Sequence, residues 1–72
     1  MAKVEDVHKT GQTGNRPRDR IYFEARFDGP PEASDVSEAQ KKAGYHPGGY
    51  GGPQDVRVVG NTATWWCAAS CD

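Results

Sequence analysis

Residues 55–67, DVRVVGNTATWWC, decide the fold of this chain. β-Branched and aromatic residues fill both ends of the stretch, and the two residues Gly60-Asn61 separate them. Glycine at the first of two turn positions suits a type II′ turn, whose twist matches that of the strands it joins. The stretch therefore predicts a β-hairpin with strands at 56–59 and 62–67.

The register of this hairpin divides its side chains between two faces, because alternate residues of a strand point to opposite sides. One face is largely apolar and includes Trp65, whereas the other is polar apart from Trp66. We therefore expect Trp65 in the core and Trp66 on the surface. The predicted cross-strand pairs are Val59–Thr62, Val58–Ala63, Arg57–Thr64, Val56–Trp65 and Asp55–Trp66.

Two further elements are predicted before the hairpin. Residues 20–27, RIYFEARF, alternate polar and apolar side chains, which is typical of a half-buried strand. A short helix is predicted to begin at Ser34 or Asp35, where Asp35 and Glu38 match a capping box. The helix is predicted to end at Ala43, because the glycine that follows favours a left-handed stop.

These elements predict a small α+β domain over residues 20–72, arranged β-α-β-β. We expect a three-stranded sheet with the short helix on one face, the other face open, and the last strand between the other two. Residues 1–19 hold few large apolar side chains, so a flexible or irregular N-terminal arm is expected there. The helix is predicted to cover Ile21, Phe23, Ala25, Phe27, Val56, Val58, Ala63 and Trp65.

Composition narrows the classes of function. The chain has 72 residues, 35% of them hydrophobic, a mean hydropathy of −0.87 and a net charge of −1. Such a chain forms one small, marginally stable domain, and its charge does not indicate nucleic-acid or membrane binding. No apolar run approaches the roughly 18 residues of a membrane span, and no signal-peptide pattern follows the N-terminus. We therefore expect a cytoplasmic protein, a context that disfavours a disulfide between Cys67 and Cys71.

The open face of the sheet is the predicted binding surface. A tryptophan, a tyrosine and two arginines on one uncovered face are the residue types enriched at protein-interface hot spots. The Gly- and Tyr-rich loop at 44–53 is a second candidate, because aromatic side chains on such a backbone adapt to a partner at low entropic cost. The predicted partner-binding residues are Tyr22, Glu24, Arg26, Tyr45, Tyr50, Arg57 and Trp66, with Asp55 and Thr64 on the same face.

Other interpretations of these features stay open at this point. Trp66 is also explained if the stems of Arg26 or Arg57, or the N-terminal arm, cover it within the protein. The loop is also explained as a linker in which Tyr45 or Tyr50 folds back over the edge of the core. Self-association of the open face would give a homodimer, from which a small domain gains stability. A single-stranded nucleic acid would also fit this face, although the net charge opposes it. The residues that would bind it are Tyr22, Trp66, Arg26 and Arg57, with Arg16, Arg18 and Arg20 just before the first strand.

Motifs that carry chemistry are few. Cys67 and Cys71 form a lone C-x3-C pair, and His8 and His46 are the only histidines that could complete a four-ligand zinc site. A small metal-stabilised module is therefore a further alternative. The glycine run at 48–52 lacks the lysine and the preceding strand of a phosphate-binding loop. We predict a non-enzymatic binding protein of the inhibitor or adaptor type, such as mobile elements encode, with a protein partner and no cofactor.

Overall fold

The computed structural model describes residues 2–14, 16, 18–44 and 52–68. The strands lie in one antiparallel sheet, in the order β1-β2-β4-β3. The α+β class is confirmed, and the last strand lies between its predicted neighbours. The prediction of a three-stranded sheet is wrong, because the sheet has a fourth strand. In chain order the elements are β1 (Val4–Gln12), β2 (Arg20–Phe27), α1 (Ala33–Lys42), β3 (Gln54–Val59) and β4 (Thr62–Ala68).

The fourth strand, β1, lies in the segment 1–19, for which we predicted a flexible or irregular arm. It pairs with β2 along most of its length, but the register shifts between Val4 and Asp6 and again between Lys9 and Gly11. Each shift breaks the period-two alternation that identifies a strand in a sequence. Only the side chains of Val4 and Val7 pack against the core from within this strand, so the hydrophobic signal is also weak.

The β3–β4 hairpin follows the predicted register near its turn and departs from it further away. The pairs that Val59, Val58 and Arg57 form with β4 are confirmed. Gly60 has φ of +61°, and Asp55 is the only non-glycine residue in the described part of the chain with a positive φ, at +56°. This pattern fits a type II′ turn at Gly60 and a bulge at Asp55. Because the bulge adds a residue to β3, Gln54 lies opposite Trp66, and the predicted pairs Val56–Trp65 and Asp55–Trp66 are wrong.

Helix α1 begins earlier than predicted. Its N-cap is Glu32 rather than Ser34 or Asp35, and Asp35 is the third helical residue of a capping box with Glu32. The carboxylate of Asp35 accepts the main-chain N–H of Glu32 at 2.9 Å, so the predicted pairing with Glu38 is wrong. Gly44 has φ of +94° and confirms the left-handed stop after the last turn.

The core lies between α1 and the two central strands. Trp65 is 2% exposed, as predicted, and stacks on Phe23 with ring centroids 6.0 Å apart. Val56 and Val58 are 45% and 47% exposed, so the prediction that the helix covers them is wrong. The reason is β1: with a strand added on that side, α1 packs towards β1 and leaves a groove between itself and β3. Within the described residues, no helix is long and apolar enough to cross a membrane. The buried apolar residues are Ile21, Phe23, Ala25, Phe27, Val36, Ala39, Ala63, Trp65 and Cys67.

Candidate functional site

The open face is the side of the sheet opposite α1, and strand pairing fixes which residues share it. Residues paired across antiparallel strands point to the same side. Tyr22 pairs with Trp66, Glu24 pairs with Thr64, and Thr64 also pairs with Arg57. The register therefore brings together four of the seven predicted partner-binding residues: Tyr22, Glu24, Arg57 and Trp66.

These four residues line a shallow depression of about 370 Å³ on the open face. Asp55 and Thr10 line it as well, so β1 contributes to a surface that we predicted from the other strands alone. Arg26 pairs with Thr62 near the other end of β2 and does not line the depression. The remaining two predicted residues, Tyr45 and Tyr50, lie outside the described residues.

Trp66 is half-buried, and the side chain that covers it is Arg20. The guanidinium carbon of Arg20 stands 4.2 Å from the centroid of the indole, which is the geometry of a cation–π contact. Arg20 pairs with Ala68, one alternation beyond the Tyr22–Trp66 pair, so strand geometry places its side chain beside the indole. Our alternative interpretation gave this covering role to Arg26 or Arg57. If the predicted last strand had included Ala68, the pairing of Arg20 with Ala68 would have placed the arginine beside Trp66 from the sequence alone.

Charges of both signs surround the two aromatic rings. Asp55 and Arg57 approach to 3.9 Å, with both side chains well exposed. An exposed pair of this kind contributes about 0–1 kcal/mol, so it leaves both groups available to a partner. The carboxylate of Glu24 adds a second negative charge to the depression, so the surface around Trp66 is mixed rather than basic.

His8 is a member of the open face that the sequence analysis did not identify as a binding residue. Its Nδ1 lies 2.8 Å from Oδ2 of Asp6, and its Nε2 lies 3.7 Å from Oε1 of Glu24. His8 is therefore hydrogen-bonded to Asp6 and lies near the carboxylate of Glu24, at a distance too long for a hydrogen bond. Asp6 lies two positions before His8, and side chains two positions apart in a strand point to the same face. This spacing could have indicated their contact from the sequence.

The described residues give little support to metal chemistry. Among them, no group of three or more His, Cys, Asp or Glu side chains could hold a metal ion. Cys67 is buried and has a free thiol, and its burial raises the pKa of that thiol. The other members of the proposed metal site, Cys71 and His46, lie outside the described ranges.

Comparisons with known proteins add no family to this description. No protein-family model, no curated protein and no solved structure matches the chain. Any assignment of function therefore starts from the open face itself.

Proposed function

We propose that this is a small non-enzymatic binding protein, of the inhibitor or adaptor type, whose open face engages a protein partner. A single observation carries the proposal: Trp66 lies half-buried under Arg20 and next to Tyr22, on the side of the sheet opposite α1, the one helix among the described residues. Tryptophan, tyrosine and arginine are the residues most enriched among interface hot spots. Arg20 provides an internal cover of the kind that our alternative interpretation gave to Arg26 or Arg57, but it leaves Trp66 half-buried and Tyr22 exposed.

The contact between Arg20 and Trp66 supports a binding role on energetic grounds. A partner that buries a tryptophan gains most when the side chain does not have to be immobilised on binding. The guanidinium stacks on the indole at 4.2 Å, a contact that would restrict the orientation of the ring before a partner arrives. Tyr22, which is 36% exposed, extends the same apolar area across the neighbouring strand. The two rings therefore form a preorganised anchor at the centre of the face.

The charges around the anchor indicate which partner surface would be complementary to it. Glu24 and Asp55 are negative, Arg57 is positive, and all three line the depression that contains Trp66. A complementary partner would present an apolar centre with charges of both signs at its rim. Such rim charges set the orientation and the association rate more than the affinity.

A single-stranded nucleic acid is the second candidate. The arginine stacked on a tryptophan beside a tyrosine is the observation that favours it, because bases stack on such platforms. Arg16 and Arg18 lie in the turn that leads into β2, and both are exposed. However, the carboxylates of Glu24 and Asp55 line the same depression and would repel phosphates. A protein partner therefore fits the charge distribution better.

An affinity capture from the native host tests the proposal. The wild-type protein, Trp66→Ala and Lys41→Ala would each be used as bait, with nuclease present throughout. Lys41 is exposed near the end of α1, away from the open face, so it serves as the control position. We expect a protein that wild type and Lys41→Ala retain and that Trp66→Ala loses. With the purified partner, the loss should reach about 30-fold or more, the size of a hot-spot effect.

Equal recovery with Trp66→Ala and wild type would contradict the proposal. A parallel capture without nuclease that retains nucleic acid, together with loss of all captured protein when nuclease is present, would instead support the second candidate. Tyr22→Ala provides an independent check, because it removes the other ring without disturbing the contact between Arg20 and Trp66. It should weaken binding of the same partner.

A further inference from the structure

The two edges of the sheet differ in how they are protected. An exposed edge strand can pair with another chain, and proteins prevent this with charged side chains and bulges. The edge strand β1 has two register shifts and exposes Glu5, Asp6, His8 and Lys9. The edge strand β3 has one register shift, confined to its start, and its stretch 56–59 contains one charged residue, Arg57. Among the described residues, the β3 edge is therefore the less protected of the two along 56–59.

The main chain of β3 presents a free hydrogen-bonding position to solvent. Val59 and Thr62 flank the two-residue turn, so their main-chain groups bond to each other. Because antiparallel strands alternate, Arg57 also directs its N–H and C=O towards β4, and Val58 directs its own away. No other strand in the described part of the chain lies on that side of β3. Val58 is therefore positioned to pair with a further strand.

An apolar groove continues from this edge. It lies between α1 and β3, has a volume of about 410 Å³, and is lined by Val56 and Val58 on the strand side. Pro31, Ala33 and Val36 are the apolar residues that line it from the side of the helix. The groove exists because α1 packs towards β1 and leaves the two valines about half exposed. A strand added at this edge would place its own side chains over the groove.

We propose that β3 pairs with β3 of a second copy of this chain, antiparallel, about a two-fold axis that lies midway between the two Val58 residues. This axis places Val58 opposite Val58 of the second copy, where both strands direct free N–H and C=O groups. It also places Arg57 opposite Val59 of the second copy. The alternative axis, midway between the two Arg57 residues, would set two guanidinium groups against each other, and like charges directly opposite are destabilising. Charge therefore selects the register.

A second copy fits this edge because its β3 offers the same free N–H and C=O groups at Val58. It also presents the same half-exposed Val56 and Val58 side chains beside the groove. With the axis perpendicular to the sheet, both helices lie on one side, and the two apolar grooves join across the paired strands. The contact is isologous, as most homodimer contacts are. A chain of 72 residues also gains stability from such an association, since small domains bury a low fraction of their surface alone.

The dimer would present its two open faces on the same side of a continuous eight-stranded sheet. The two β4 strands would be separated by three strand spacings, about 14 Å. The two Trp66 side chains would then face a partner together. This arrangement does not depend on the proposed function, because β3 pairing and the open face use different surfaces of the sheet.

Sedimentation equilibrium of the full chain over a micromolar to millimolar series tests the association. We expect the mass to rise with concentration from 7.8 kDa to twice that value. Val58→Pro should abolish the rise, because proline removes an N–H that β4 does not use and is tolerated in edge strands. Val58→Lys, which keeps the main chain intact, should also abolish it by placing two charges together on the axis. Glu5→Lys places the same side chain on the opposite edge, in β1, and should leave the mass unchanged.

Cross-linking tests the register in the folded protein. In a Cys71→Ser background, Val58→Cys should form an intermolecular disulfide under mild oxidation, because paired residues lie about 5.5 Å apart between Cα atoms, within disulfide range. Val56→Cys and Arg57→Cys should not. Circular dichroism of each variant establishes that it is folded.

Three results would overturn the proposal. One is a wild-type chain that stays monomeric across the whole series. In that case β3 does not pair with a second copy, and only a strand of another protein could pair with it. Another is a dimer that Trp66→Ala abolishes while Val58→Pro and Val58→Lys leave it intact, since that would place the interface on the open face. The third is rapid cross-linking of Arg57→Cys in place of Val58→Cys.

Discussion

The main-chain N–H of Ala2 donates to Oδ2 of Asp35 across 3.1 Å, which joins the residue next to β1 to the first turn of α1. The same oxygen accepts the N–H of Glu32, and Asp35 is 6% exposed. These hydrogen bonds, with the one from Glu32 contributing most, lower the pKa of Asp35 below its ordinary value. One carboxylate therefore holds the start of the helix and the N-terminal strand together.

The first prediction is that Asp35→Asn makes the protein less stable and changes how stability depends on pH. A carboxylate whose pKa is lowered by folding contributes fully above its unfolded pKa of about 3.9, and its contribution is lost as the pH falls through the folded pKa. The wild type should therefore lose stability below about pH 4, and Asp35→Asn should lose less over that range. Urea unfolding midpoints, measured from neutral pH downwards, provide the test.

Glu38→Gln is the matched control, because Glu38 lies in the same helix and is exposed. It should leave both the midpoint at neutral pH and its pH dependence close to those of the wild type. If the midpoints of Asp35→Asn and wild type fall in parallel as the pH is lowered, Asp35 is not the group that links folding to protonation.

The second prediction separates the two adjacent tryptophans. Trp65 stacks on Phe23 in the core, so Trp65→Ala should cost about 3–5 kcal/mol, enough to unfold a marginally stable domain. Trp66→Ala should stay folded, because the ring lies on the open face. Far-UV circular dichroism and thermal melts of both variants measure this difference. The opposite outcome would mean that β4 is displaced by one residue and that the two faces are exchanged.

Local sequence signals predicted the central part of the fold well. The glycine of the Gly60-Asn61 turn set the register of the adjacent pairs, and alternation assigned Trp65 to the core. The errors came from places where the backbone is irregular. The bulge at Asp55 moved Gln54 opposite Trp66, and the two register shifts in β1 hid a whole strand. A bulge has no period, so a pattern search cannot detect it.

The remaining errors followed from contacts between distant parts of the chain. The hydrogen bond from Ala2 to Asp35 spans 33 positions, and no local pattern indicates it. Because β1 is part of the sheet, α1 packs towards β1, and Val56 and Val58 stay about half exposed. The missed strand therefore also made the predicted core wrong. The candidate site was less affected, because the alternation in β2 and β4 already placed Tyr22 and Trp66 on the same face.

The third prediction concerns the cover that Arg20 provides. In a Trp65→Phe background, Trp66 is the only tryptophan, so fluorescence reports its environment alone. Adding Arg20→Gln should increase quenching by acrylamide and shift the emission to longer wavelength, because the indole loses the stacked guanidinium. The loss of stability should be small, about 0.5–1 kcal/mol. Arg26→Gln, at the other end of the same strand face, should change neither signal, and an equal effect of both substitutions would contradict the assignment.

The fourth prediction concerns Cys67. Burial raises the pKa of its thiol and keeps it from solvent, so less of the reactive thiolate is present at neutral pH. In a Cys71→Ser background, we expect alkylation of the native protein to be slow and to accelerate sharply when urea unfolds the chain. Mass spectrometry over time measures both rates. Rapid alkylation under native conditions would show that this end of β4 opens readily.

The same residue tests the metal alternative. Cys67→Ser should remain folded and lose about 1–3 kcal/mol, the cost of burying a hydroxyl without a partner. We expect elemental analysis of the wild type to find no stoichiometric zinc. One zinc per chain, lost on substitution of either cysteine, would contradict this prediction and make His46 a candidate ligand.

The last prediction is that partner binding at the open face depends only weakly on salt. The acids Glu24 and Asp55 lie near Arg57 and Arg20, so the face is close to neutral and binding would release few counterions. A protein partner would gain its affinity from Trp66 and Tyr22, with the charges acting mainly on the association rate. A nucleic acid would instead lose affinity steeply over about 50–200 mM salt. Titration of the purified partner across that range measures the slope. A slope equal to about four or more released counterions, abolished by replacing Arg16, Arg18 and Arg26, would favour nucleic acid over a protein partner.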